Sequence, residues 1–165
     1  MSGAARPIVV MGVSGVGKTT VGTELARRRG VVFVDADDLH GAANIAKMSA
    51  GIPLDDADRW PWLDRVGAAL RAGDGVVVAC SALKRRYRER LHRLAPATVF
   101  VHLDADAERV AAQAQSREGH FMPPALLQSQ FDALEPLAHD EPGVTVAVDA
   151  APDALAERIE RMLEA

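Results

Sequence analysis

A single cysteine, Cys80, is the first scarcity in this 165-residue chain. One thiol cannot build an intrachain disulfide framework or a cysteine-rich zinc module. Long apolar runs are missing too. The uncharged apolar stretch Gly75 to Leu83 falls far short of the ~20 residues that cross a bilayer. Residues 1–6 carry no apolar core of a signal peptide. There is no basic excess: a net charge of −4 and a pI near 5.7 argue against a dedicated nucleic-acid binder. Asparagine occurs once, as Asn44, and lysine only as Lys18, Lys47 and Lys84 among 19 basic residues. What is present is ordinary for one globular domain spanning 1–165, 48% hydrophobic and 25% charged. A soluble, cytoplasmic protein is expected, with neither membrane nor nucleic acid as partner.

Apolar runs alternate with helical stretches along the whole chain. Strands are expected at 7–11, 31–34, 75–79, 98–103 and 144–148. Helices are expected at 17–29, 39–50, 59–72, 83–94, 105–116 and 124–134, with a last one opening at Pro152. Strands with both faces apolar, each followed by a helix, form a parallel sheet covered on both sides. Ligands of such sheets sit at the carboxyl ends of the strands. The two stretches with weak apolar periodicity, 36–58 and 116–124, follow elements at that edge.

Gly12-Val-Ser-Gly-Val-Gly17-Lys18-Thr19 matches the phosphate-binding loop in full, between a strand and a helix. Its glycines let backbone N–H groups turn in around phosphate oxygens, and the helix N-terminus adds its dipole. Lys18 is expected at the β- and γ-phosphates and Thr19 on Mg²⁺. Gly12, Ser14, Gly15, Val16, Gly17, Lys18, Thr19 and Thr20 make up the expected nucleotide set. A chance match in this composition is roughly one in a thousand. A guanine-reading Asn-Lys-x-Asp element is impossible, since Ile45 follows Asn44. The third strand ends in Cys80-Ser81 rather than in the acidic pair of a motor ATPase.

Asp35, Asp37 and Asp38 follow the second strand. In extended chain Asp35 and Asp37 share a face. Carboxylates there suit Mg²⁺ support and acceptance of a hydroxyl proton, the two needs of phosphoryl transfer. Asp37 reads as functional. Asp38 reads as a helix cap, and Asp35 stands between metal support and a structural role. Lys84 and Arg88 lie one turn apart in the expected helix, and cations at a helix start point to an anionic partner. On 116–124, Gly119 suits a hinge. Arg117 is placed to close over the transferring phosphoryl group, with His120 beside it. Trp60 and Trp62 read as packing anchors.

Together these stretches resemble the gluconate kinases of the small P-loop kinase type, over about residues 7–163. The specific segments are Met11-Gly-Val-Ser-Gly-Val-Gly-Lys18, Asp35-Ala-Asp-Asp-Leu-His40, Asn44-Ile-Ala-Lys47-Met48 and Pro53-Leu-Asp-Asp-Ala-Asp-Arg59 with Pro61-Trp62-Leu63. Cys80-Ser-Ala-Leu-Lys84 with Tyr87-Arg88, and Gly119-His-Phe-Met122, complete the set. The resemblance implies a three-layer α/β/α fold with a five-stranded parallel sheet in the order 2-3-1-4-5. It implies ATP- and Mg²⁺-dependent phosphorylation of D-gluconate to 6-phosphogluconate, and a homodimer. It makes Lys18, Asp37 and Arg117 the catalytic set, Asp37 as general base, and Thr19 and Asp35 the metal set. Asp37, His40, Arg59, Ser81, Lys84, Arg88 and His120 become gluconate contacts, with Lys47 a further candidate. It makes 37–62 a substrate clamp and 116–124 a lid, and it puts adenine near Asp149–Pro152. Another sugar acid or polyol as acceptor, or a non-catalytic nucleotide-binding module, are the rival readings. Relatives often carry proline and basic residues after the histidine of the acidic turn. This chain has Gly41-Ala42-Ala43.

Overall fold

The computed structural model describes residues 5–72, 74–116 and 124–164. The β-branched run after Pro7 becomes strand β1, Ile8–Met11, with every side chain buried. It lies between β3, Val77–Ala79, and β4, Val99–Asp104, pairing Ile8 with both Val77 and Val99. The edges are β2, Phe33–Asp35, on β3 and β5, Gly143–Ala147, on β4. All pairings are parallel and the order is β2-β3-β1-β4-β5, the order expected.

Alternation along β1 divides the core in two. Ile8 and Val10 join Val21, Leu25, Val110, Leu155 and Ile159 on one face. That face is covered by α1 (Lys18–Arg29), α5 (Ala107–Ser116), α6 (Pro124–Ala133) and α7 (Pro152–Glu164). Val9 and Met11 join Trp62, Leu63, Val66, Leu70 and Leu91 on the other. There α3 (Asp56–Arg71) and α4 (Arg85–Leu94) lie on the sheet. Each fully buried aliphatic side chain of this kind stabilises the fold by about 1.5–3 kcal/mol.

Local chemistry moved several boundaries. The expected helix at 39–50 splits into a 3-10 turn, Ala36–Leu39, and a short helix α2, Ala42–Ser49. Asp35 rather than Asp38 supplies the cap: its side chain accepts from Asp37 N–H at 3.0 Å. Gly41 precedes α2 without a side-chain cap. Helix α3 begins three residues before the expected 59 because Asp55 and Asp58 form a reciprocal capping box. It then carries Pro61 inside, where one helical N–H bond is lost. Helix α4 starts at Arg85 rather than 83, and Lys84 is its extended N-cap, φ −103° and ψ 142°.

Candidate active site

The phosphate loop joins β1 to α1, and its shape depends on glycine. Gly12 has φ +149°, and a Cβ there would sit 2.9 Å from the Leu103 carbonyl oxygen of β4. Gly17, φ +106°, opens α1 in the left-handed region with open space where a Cβ would be. Lys18 Nζ donates to the carbonyl oxygens of Gly12 (2.9 Å) and Val13 (3.0 Å), so its ammonium curls over the loop. Val16 is buried, and Thr19 and Thr20 face solvent at the helix start. A cavity of about 540 Å³ lies between Thr19, Thr20, Thr23 and Glu24 of α1 and Pro152 and Asp153 of α7. That is beside the chain segment expected to meet adenine.

The acidic turn abuts this loop. Thr19 Oγ1 donates to Asp35 Oδ2 at 3.3 Å, while Asp35 Oδ1 accepts from Asp37 N–H. One carboxylate thus caps the turn, the structural role, and also faces the loop hydroxyl. A hydroxyl and a carboxylate oxygen side by side are hard donors of the kind Mg²⁺ takes together with phosphate and water, so the residues present fit that ion. Asp37 is exposed at the surface, yet neighbouring protein partly desolvates its carboxyl. That desolvation, with the neighbouring Asp35 charge, raises its pKa above the ordinary 3.8 against the pull of Lys18 and His40. The result is a better proton acceptor.

His40 closes the turn. Its ring stacks on Trp62, centroids 4.4 Å apart, and Trp62 Nε1 donates to Ala36 O at 2.7 Å. Asn44 Nδ2 donates to Asp58 O (2.9 Å) and meets His40 Nδ1 at 3.1 Å. A carbonyl only accepts, so the amide nitrogen faces both partners and Nδ1 must accept. The ring proton then lies on Nε2. Desolvation outweighs Asp37 and lowers the His40 pKa, with Arg59 and Arg65 acting in the same direction. His40 is therefore a neutral donor at neutral pH. Lys47 holds the same segment together: its ammonium meets both oxygens of Asp58, at 2.9 and 2.8 Å, and ties α2 to the start of α3. Through this ion pair it braces the shape of 37–62.

Across the cleft stands the loop after β3. Gly12 N–H donates to Ser81 O at 3.3 Å, which joins it to the phosphate loop. Ala82 adopts φ 44°, unusual for a residue with a Cβ and a sign of local strain. Arg88 explains how this is tolerated. It was expected to contact gluconate, and the structure corrects that. Its side chain is 1% exposed and paired to Glu141 at 2.7 Å. The same guanidinium donates to Ala82 O (2.9 Å) and Leu83 O (3.2 Å). Lys84 lies outside the helix, so the one-turn spacing that set Lys84 and Arg88 on a common face does not operate. Glu141 is drawn up by burial, but the hydrogen bonds from Arg88 and the Ala138 N–H draw it further down, below its ordinary value.

The basic start of α4 also finds most of its partners within the protein. Arg85 pairs with Asp140, Arg86 with Asp56 and Arg90 with Asp64. Among the described residues no carboxylate pairs with Lys84, whose ammonium lies 5.9 Å from the Tyr87 ring centre. Arg59 stands over the same ring at 5.5 Å and donates to Tyr87 Oη at 3.2 Å. Tyr87 in turn donates to Asp56 at 2.6 Å. Lys84 and Arg59 thus lie around one ring, half-buried, on the acceptor side. Arg117 and His120, with residues 117–123 of the expected lid, lie outside the described residues. Cys80 is buried and its thiol pushed up to about 12, so it is chemically quiet. One contact had no signal in the sequence: Gln130 of α6 reaches Ser14 across 116 positions.

A family model described as an AAA domain matches residues 8–137, from β1 through the segment after α6. A gluconokinase of Gluconobacter oxydans (strain 621H) is 49% identical over 97% of this chain and 92% of its own length. The chain belongs to the gluconokinase family. Among solved structures, a gluconokinase from Sinorhizobium meliloti 1021 superposes with a TM-score of 0.89 at 42% identity, covering 99% of this chain and 96% of that one. A sugar kinase from Janibacter sp. HTCC2649 gives 0.88 at 46%, covering 97% and 95%. The likeness runs through both sides of the cleft, not the phosphate loop alone.

Proposed function

We propose that this protein is an ATP-dependent gluconokinase that makes 6-phospho-D-gluconate. The observation that carries the reading is the junction of a complete phosphate loop with the acidic turn, through Thr19 and Asp35. Family membership supplies the acceptor.

Lys18 and the loop N–H groups hold the phosphates, and Thr19 and Asp35 would hold Mg²⁺. The ion supplies charge neutralisation on the phosphoryl group when bound. Asp37 accepts the proton of the attacking gluconate hydroxyl. His40 donates from Nε2 to a second hydroxyl. Lys84 and Arg59 take the carboxylate, and Ser81 adds a hydroxyl contact. Arg117 and His120 complete the site from the lid, 116–124, as 37–62 does from the clamp. The protein works as a single-domain subunit of a cytoplasmic homodimer, checked by sedimentation.

A coupled ADP-release assay across gluconate, shikimate, glycerate and nucleoside monophosphates tests the assignment. Turnover with gluconate alone, or with gluconate far ahead, is expected. ATP binding without acceptor-dependent turnover would favour the binding-module reading instead.

A further inference from the structure

Gln130 takes no part in the chemistry described above, yet it holds the phosphate loop by two hydrogen bonds. Ser14 N–H lies 2.6 Å from Gln130 Oε1, and Gln130 Nε2 lies 2.9 Å from Ser14 Oγ. The two bonds fix each other's polarity. A backbone N–H only donates, so the amide oxygen must face it. The amide nitrogen then faces Ser14 Oγ, which must accept. A hydroxyl that accepts there keeps its own proton to give, and that proton points away from the amide. Val13, the neighbour of Ser14, offers its carbonyl to the Lys18 ammonium at 3.0 Å. The free Ser14 proton therefore lies on the same stretch of loop as the charge that meets phosphate.

We propose that Gln130 is a positioning residue for phosphoryl transfer, presetting the Ser14 hydroxyl as a donor to the terminal phosphate of ATP. The proposal rests on the ATP half of the functional reading and not on the identity of the acceptor. The chain beyond α6 strengthens the case. Glu135 N–H donates to Leu83 O (2.7 Å), and the Glu135 side chain accepts from Arg85 N–H (2.8 Å). One short segment thus grips both the phosphate loop and the acceptor loop. That keeps the preset donor in register with the attacking hydroxyl, as near-attack geometry requires.

The test compares ATP and ADP affinity by calorimetry, together with kcat, in wild type, Gln130→Ala, Gln130→Glu, Ser14→Ala and the Gln130→Ala/Ser14→Ala double variant. A lost hydrogen bond to a charged group is worth about tenfold. Gln130→Ala should lower ATP affinity and kcat by about that factor and leave ADP affinity within about twofold. The double variant should lie near Ser14→Ala and well short of the summed losses, because both changes act on the same hydroxyl donor and only the Ser14 N–H bond to Gln130 separates them. Gln130→Glu keeps the volume but takes the Ser14 proton, so its ATP-to-ADP ratio should fall as in Gln130→Ala. An unchanged ratio in Gln130→Ala, additive losses in the double variant, or a normal ratio in Gln130→Glu would overturn the proposal. A wild type that binds ATP but phosphorylates no gluconate removes the acceptor assignment alone, since the affinity ratio needs no acceptor.

Discussion

Apart from its contacts to Gln130, Ser81 and Asp35, the phosphate loop closes on itself over a few residues, whereas the acceptor side is held by contacts between distant segments. Lys18 bonds to carbonyls five and six positions away. Opposite it, Tyr87 meets Asp56 across 31 positions and Arg88 meets Glu141 across 53. A loop defined by glycine φ angles and one lysine is written in contiguous sequence. A surface defined by one buried ion pair and a set of longer-range polar contacts depends on the packing of α3, α4 and the chain after α6. The two halves should therefore fail differently when broken: the first in chemistry with the fold intact, the second partly in the fold.

The largest effect is expected at Arg88. Removing it leaves the Glu141 carboxylate buried without its cation and the Ala82 turn without its donor. Breaking a buried pair from one side costs about 3–5 kcal/mol. Arg88→Met should show this as a lowered midpoint in chemical denaturation, with activity lost in proportion to unfolding. The pH dependence has a definite sign. Glu141 has a depressed pKa in the folded protein, so its contribution is present above its ordinary 4.5 and is lost as pH falls through the folded value. The gap between wild type and Arg88→Met should close on acidification through that range. A variant as stable as wild type would return Arg88 to the substrate.

Lys18→Ala comes next, with the opposite signature. Loss of one preorganised donor at developing charge costs about 10²–10³-fold in turnover, here with the melting temperature unchanged. Near-normal ADP release in that variant would remove the ATP assignment. Asp37→Asn should cost about 10²-fold in kcat while ATP still binds. Its raised pKa means that the charged form is disfavoured in the folded protein, so the neutral variant should be no less stable at pH 7. In wild type kcat should fall as pH drops through the Asp37 pKa, at a limb above 3.8. An Asp37→Asn enzyme with unchanged kcat would show that another group takes the hydroxyl proton.

Legibility followed the same division. The phosphate loop and the two-sided sheet were readable because glycine spacing and apolar alternation are local signals. The sheet order came through the resemblance. Asp35 was readable as one of two roles, and the structure shows the structural one, with its second oxygen turned to Thr19. Lys47, a candidate ligand in the sequence, is a clasp on Asp58, a partner eleven positions away with no periodic relation to it. Arg88 was misplaced because helical spacing states which residues share a face, not whether that face meets solvent or Glu141. Gln130 was invisible, since nothing in the sequence links it to Ser14.

The smallest effect separates Lys84 from its neighbours and so sharpens the comparison most finely. Three cations lie within 6 Å of the Tyr87 ring centre: Arg59 at 5.5 Å, Arg86 at 5.6 Å and Lys84 at 5.9 Å. Arg86 is spoken for by Asp56 at 2.7 Å, and Arg59 is 4.0 Å from the same carboxylate. Among the described residues no ion pair forms to Lys84, which extends from the turn that Arg88 holds. A charge-assisted contact at a half-exposed site is worth about tenfold. Lys84→Ala should raise the gluconate KM by about that factor, leaving the ATP KM and the melting temperature alone. Arg86→Ala should instead leave KM unchanged, because its charge is already answered. If Arg86→Ala raised KM and Lys84→Ala did not, the acceptor carboxylate would lie on the other side of Tyr87.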